Sequence, residues 1–175
     1  MRETSRLLPG ESVQGVVMER TMRKEKLPGG SACPVARAAD LVGDRWSLLI
    51  IRDAFDGVRR FGDFRDSLGV SSNILTLRLK MLVDEGILEI VPASDGTAYQ
   101  EYRLTKKGQE FFPVVVTLRQ WGEAHLFRKG EKHSVLIERD TGKAVKKLSL
   151  TRNDGRSLKA SETVVRKPAS DSDKT

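Results

Sequence analysis

The chain has 175 residues, 38% of them hydrophobic, and a formal net charge of +7. That is apolar material for one modest core, which excludes two large domains, and no run reaches the roughly 18 consecutive apolar residues of a membrane span. A single cysteine, Cys33, excludes an internal disulfide framework and fits a reducing compartment, so a cytoplasmic location is expected.

Residues 1–30 carry Pro9, Gly10, Pro28, Gly29 and Gly30 with mixed charges and little periodicity, which reads as a flexible leader. It lacks a continuous apolar run of secretory length, and Met18 and Met22 inside it are alternative starts. Organisation begins at Cys33. Pro34 suits the first position of a helix running through VARAADLVG to a break at Gly43. Asp44 reads as the N-cap of RWSLLIIRDAF, with Trp46, Leu49, Ile50 and Phe55 as core and Gly57 as terminator. A shorter helix covers FGDFRDSL, where Phe61, Phe64 and Leu68 share a face.

After the tight Gly69-Val70 connection, Ser71 or Ser72 caps a helix that runs to Gly86. Leu75, Leu79 and Leu82 recur at spacings of four and three, one apolar stripe, while Ser71, Ser72, Asn73, Thr76 and Lys80 form a polar stripe between them. ILEIVP and AYQEYRL alternate as strands around a Ser94-Asp95-Gly96 turn. Thr105 caps a long helix through KKGQEFFPVVVTLRQWGEAHLF, which Pro113 kinks or interrupts early. Beyond it, Asp140-Thr141-Gly142-Lys143 and Asn153-Asp154-Gly155 punctuate strand-like runs, which predicts a small β-meander over 134–158. The last residues, KPASDSDKT, have a disordered composition.

The expected class is therefore mainly α with a small β component. It comprises a winged helix-turn-helix, a long C-terminal dimerisation helix and a β-meander tail. The expected segments are a leader over 1–30, the winged-helix domain over 31–128, a basic β-rich extension over 129–166 and a tail over 167–175. In this order of elements a short helix braces the next one, whose exposed side is free to enter the roughly 12 Å wide major groove of B-DNA. The hairpin becomes a wing beside it.

CPVARAADLVGDRWSLLIIRDAFDGVRRFGDFRDSLG, SSNILTLRLKMLVDEGIL and YRLTKKGQEF together resemble the HxlR family of bacterial transcriptional regulators. The shared pieces are the Cys-Pro start, the Gly-Asp-Arg-Trp turn, Arg-Arg-Phe and Leu-Thr-x-x-Gly, within residues 33–127. The resemblance implies a MarR-like winged-helix homodimer that binds double-stranded DNA at a pseudo-palindromic operator. It also implies repression, and release by a redox, electrophile or small-molecule signal. The chain departs from the family in three places. The wing tip Ala93-Ser94-Asp95-Gly96 is acidic where an arginine is common, Leu77 replaces a polar position, and no cysteine follows Cys33 for a C-terminal zinc ribbon.

Ser72, Asn73, Thr76 and Lys80 point away from the leucine stripe and are the candidates for base and phosphate contact, with Ser71 either a contact or a cap. Leu77 offers only apolar contact, for example to a thymine methyl. Arg78 either bonds within the protein or reaches a phosphate. Arg59 and Arg60 precede the short helix, where the helix dipole disfavours cations, so phosphate contact competes with a merely solvated pair. Cys33 sits where a helix N-terminus favours thiolate, a redox-sensing position; the alternative is a small semi-buried side chain. Val114, Leu118, Trp121 and His125 lie along one side of the last helix and are assigned to the dimer interface.

No enzyme signature is found. Gly142-Lys143 lacks the upstream glycine of a phosphate-binding loop, and His125 and His133 are too isolated to hold a metal, so neither cofactor nor metal is expected. The charge leaves one rival open. Net charge is +2 over 1–30, zero over 31–128 and +5 over 129–175, so the basic excess lies outside the motif-bearing segment. A winged-helix module that binds a protein partner, without sequence-specific DNA binding, is the alternative.

Overall fold

The computed structural model describes residues 32–168; the leader expected over 1–30 and the end of the tail from 169 lie outside the described residues. The chain falls into two units, one ending at Gly43 and one beginning at Asp44.

The first unit contributes helix α1 (Pro34–Val42), with Pro34 in its first turn and the extended Cys33 at the N-cap. Its end depends on close backbone approach. The Gly43 N–H donates to Ala39 O at 2.8 Å, and a Cβ on Gly43 would lie 2.4 Å from that oxygen.

The second unit contains α2 (Arg45–Phe55), α3 (Phe61–Leu68), α4 (Ser72–Asp84), strands β1 (Leu88–Pro92) and β2 (Gln100–Leu104), the single turn α5 (Lys106–Gln109) and α6 (Phe112–His125). This is a mainly helical winged helix-turn-helix with one antiparallel hairpin. Helix α2 is the hub, packing against α3, α4, β2 and α6. Its core residues are Ile50 and Ile51, joined by Phe64 of α3, Leu75, Leu79 and Leu82 of α4, and Leu88 of β1. The stripe read from the Leu75–Leu82 spacing is thus wholly buried. Trp46, Leu49 and Phe55, expected in the core, are only half-buried: Arg45 stacks over Trp46 at 4.6 Å, and Phe55 meets Phe112 at 5.0 Å between ring centroids. Ile51 takes the interior position instead.

Local chemistry sets the boundaries. Asp44 Oδ1 accepts the N–H groups of Trp46 and Ser47 at 3.0 and 3.1 Å, capping α2. Between α3 and α4, Gly69 adopts φ +59, a left-handed turn that glycine makes without steric cost. Asp53, buried in α2, accepts from Ser67 Oγ at 2.8 Å and is paired with Arg52, which fixes α3 against α2.

The helix beginning at Thr105 is interrupted early, as Pro113 predicts: α5 ends at Gln109 and α6 begins at Phe112, just before Pro113, whose ring cannot sit inside an unbroken helix. One expectation is corrected: the β-meander is absent as strands. Each predicted turn is present but closed by one isolated bridge, Ile137–Ala144 and Thr151–Ser157. The extension has no second layer to bury a strand face, since Ile137, Leu148 and Leu150 are all exposed, and hairpins without such a face are marginal. It is held instead by α6. Gln120 donates to Lys146 O at 3.0 Å and accepts from Leu148 N at 2.9 Å, while Arg119 donates to Ser134 O at 2.9 Å.

Candidate nucleic-acid interface

With Leu75, Leu79 and Leu82 turned inward, geometry forces the opposite side of α4 outward. Ser72, Asn73, Thr76 and Lys80 are all exposed, and Leu77 is half-buried. Ser71 is the N-cap; its Oγ accepts the Ile74 N–H at 3.5 Å, a long bond that leaves the hydroxyl accessible. Lys80 pairs with Asp84 at 2.7 Å one turn on, an exposed pair that exchanges readily for another anion. Arg78 lies 3.2 Å from Asp44, a partly exposed ion pair that gives it a partner within the protein.

Arg59 and Arg60 sit beside the wing. The backbone carbonyl of Arg59 accepts the Tyr102 N–H at 2.8 Å, so β2 fixes the segment in register. Each side chain then meets a wing carboxylate. Arg59 lies 3.7 Å from Glu101, and Arg60 is hydrogen-bonded and ion-paired to Asp95. Arg60 also lies over the Tyr99 ring at 5.8 Å.

The two acids differ. Glu101 is buried in β2 and accepts from Ser94 N and Oγ at 3.2 and 3.1 Å. Burial pushes its carboxyl up, but the Ser94 bonds and the Arg59 and Arg60 charges outweigh that and hold it below the usual range. Asp95 is exposed at the tip. Hydrogen bonds from Thr97 and Arg60 hold its carboxyl down to about 2, and Asp95 in turn raises the Arg60 guanidinium. In the sequence Asp95 stands out only as an acid at the wing tip. The missed signal was distance in sequence: Arg60 and Asp95 are 35 residues apart, and no local pattern joins them.

The assigned dimer residues lie on one exposed face of α6. Val114, Leu118 and Trp121 are each about half exposed, and His125 lies 5.4 Å from the Trp121 ring. On the inner side of α6, a cavity of about 470 Å³ opens against α2. It is lined by Leu48, Leu49, Val115, Leu118, Leu126 and Phe127, with Arg52, Arg119, Glu123 and His133 also contributing. In the first unit, Cys33 is an exposed free thiol. Among the described residues no group of three or more His, Cys, Asp or Glu side chains is placed to hold a metal, and no helix is long and apolar enough to cross a membrane.

Comparison with known proteins places this arrangement. The model of the HxlR-like helix-turn-helix family matches residues 41–130. The HTH-type transcriptional regulator Rv3095 of Mycobacterium tuberculosis, itself uncharacterized, is 49% identical over 94 residues, which cover 54% of this chain and 60% of that protein's length. The uncharacterized HTH-type regulator sll1512 of Synechocystis is 35% identical over 108 residues, covering 61% of this chain and 80% of that protein. The crystal structure of PA1607, whose role as a transcription factor is itself a proposal, superimposes with a TM-score of 0.74 at 50% identity. That match covers 78% of this chain and 95% of PA1607, so it takes in more of the chain than the family segment does.

Proposed function

Because the chain belongs to the HxlR-like helix-turn-helix family of transcriptional regulators, we propose that it is a homodimeric, sequence-specific DNA-binding repressor. The observation that carries this reading is the division of α4 into a buried leucine side and an exposed side of Ser72, Asn73, Thr76 and Lys80. An exposed row of short hydrogen-bonding side chains on a braced helix suits base edges: Asn pairs bidentately with adenine, and Ser and Thr accept either base type. Lys80 at the end of that row, and Arg59 and Arg60 beside the wing, supply phosphate contacts that set register without reading sequence.

Dimerisation supplies the second half-site. The exposed Val114, Leu118, Trp121 and His125 face of α6 gives an apolar surface that a second copy covers. Two α4 helices then enter successive major grooves roughly 34 Å apart on a pseudo-palindromic operator. An operator overlapping a promoter is repressed by occlusion of the polymerase.

Release requires a signal that favours another spacing between the two α4 helices. Two features supply routes. The cavity between α2 and α6 has the size and apolar lining of a small-molecule site, and it touches both the hub of the DNA-binding fold and the dimer helix. The exposed Cys33 thiol is accessible to an oxidant or electrophile.

Fluorescence anisotropy of the reduced protein tests the reading, with DNA from immediately upstream of its own gene run against unrelated DNA in physiological salt. A preference of at least about a thousandfold is expected of a specific regulator. Equal, salt-sensitive affinity for every duplex, with no operator emerging from a genome-wide selection, overturns it in favour of the protein-interaction module.

A further inference from the structure

We propose that Asp95 is a gate on Arg60: the wing-tip carboxylate occupies the guanidinium as a phosphate would, and DNA must displace it to gain that contact. The inference rests on the DNA-binding reading above and assigns a selectivity-setting role to a residue outside the recognition helix. Three relationships support it. Arg60 is the N-cap of α3, the brace of α4, and its side chain reaches the wing tip at Asp95 and Tyr99. Its partner Asp95 is held in place by its own turn, accepting Thr97 N at 3.1 Å and Thr97 Oγ1 at 2.7 Å. Finally, the pair is solvent-exposed, with side-chain exposures of 38% and 47%, so an incoming phosphate reaches it without unfolding anything.

The neighbouring pair shows why only one of the two is a gate. Glu101 is buried and doubly bonded to Ser94, so Arg59 faces a fixed counter-charge that belongs to the fold. Asp95 has no such burial, and its ion pair with Arg60 exchanges.

The consequence is electrostatic. A free arginine that contacts a phosphate releases a condensed counterion from DNA, which raises affinity and steepens its salt dependence. When Arg60 leaves Asp95 for a phosphate, the uncovered carboxylate gathers a cation as the phosphate sheds one, and the net release is small. The wing acid thereby suppresses sequence-independent attraction at this position. It leaves specificity to the base contacts of α4.

A double-mutant cycle on the full-length protein tests this, using a labelled duplex of unrelated sequence about 30 base pairs long, enough to span two successive major grooves. Asp95→Asn removes the charge but retains an oxygen that accepts the Thr97 N–H, so the turn is preserved; melting curves check this. Asp95→Asn should tighten binding about three- to tenfold and steepen the log–log salt slope by about 0.9. In an Arg60→Gln background the same change should do neither. If Asp95→Asn leaves affinity and slope unchanged while Arg60→Gln weakens binding, the gate is overturned and the DNA-binding reading stands. If Asp95→Asn tightens binding equally in both backgrounds, it acts as bulk charge, and the gate is again overturned. If neither substitution alters binding, both the gate and the phosphate role of Arg60 fall.

Discussion

Arg78 Nε lies 3.2 Å from Asp44 Oδ1, the same oxygen that accepts the Trp46 and Ser47 N–H groups. One carboxylate therefore caps the hub helix α2 and anchors α4 to it. Asp44→Ala removes both functions and should cost about 1–2 kcal/mol in urea unfolding, chiefly through the lost cap. Asp44→Asn keeps a competent cap and loses only a partly exposed ion pair, so it should cost less than about 1 kcal/mol. Equal losses for the two would mean that Asp44 stabilises the fold through its ion pair rather than through the cap.

Asn73 and Lys80 share the exposed side of α4 but should fail differently. Asn73→Ala should cost about 1–3 kcal/mol on the operator and relax preference at one base position, with little change on unrelated DNA. Lys80→Ala should weaken every duplex alike and reduce the salt slope by about 1. Anisotropy titrations on operator and unrelated DNA, each at several salt concentrations, separate the two.

Much of this interface was legible because its signals are local. The leucine spacing in α4, the Asp44 and Thr105 caps, and the Ser94-Asp95-Gly96 turn each lie within a few residues, and each occurs where the pattern places it. What escaped depends on contacts distant in sequence. The Arg60–Asp95 and Arg78–Asp44 pairs join elements 35 and 34 residues apart. The extension misled for the complementary reason. Its turn residues Gly142 and Gly155 do adopt positive φ, but alternation alone cannot supply the second layer that would turn its flanks into strands.

Gly108 offers a test of how the wing meets α5. It is buried, and a Cβ there would lie 2.2 Å from Ile87 O, with Leu104 Cδ2 at 3.0 Å. Backbone cannot yield as a side-chain tip can. Gly108→Ala should therefore destabilise the fold by about 1–3 kcal/mol, although alanine is the better helix former. Gly62→Ala, where a Cβ meets nothing within 4 Å, should be neutral or stabilising in the same thermal melts.

Leu118 lines the α2–α6 cavity and also belongs to the outer stripe, whereas Trp121 lies on the stripe alone and is 54% exposed. Trp121→Glu should convert a dimer to a monomer in light scattering at micromolar concentration with the helical circular dichroism unchanged, because the side chain is not part of the core. A Trp121→Glu protein that remains dimeric would move the dimer contact off this face of α6.

The Arg60–Asp95 pair should be insensitive to pH near neutrality and fail only in acid. Asp95 has its carboxyl lowered from an ordinary value of 3.8 to about 2, so whatever the pair contributes is fully present above 3.8 and disappears as pH falls through about 2. The larger cause is the Thr97 hydroxyl and the next is Arg60. Carbon-detected NMR titration of the Asp95 carboxyl should give a midpoint near 2 in the native protein. Thr97→Val, which removes the hydroxyl and keeps the backbone N–H, and Arg60→Gln, which removes the charge, should each raise that midpoint toward 3.8. A midpoint that Arg60→Gln leaves unmoved would mean that the turn alone holds the carboxylate down, and the ion pair would then add nothing to the wing tip.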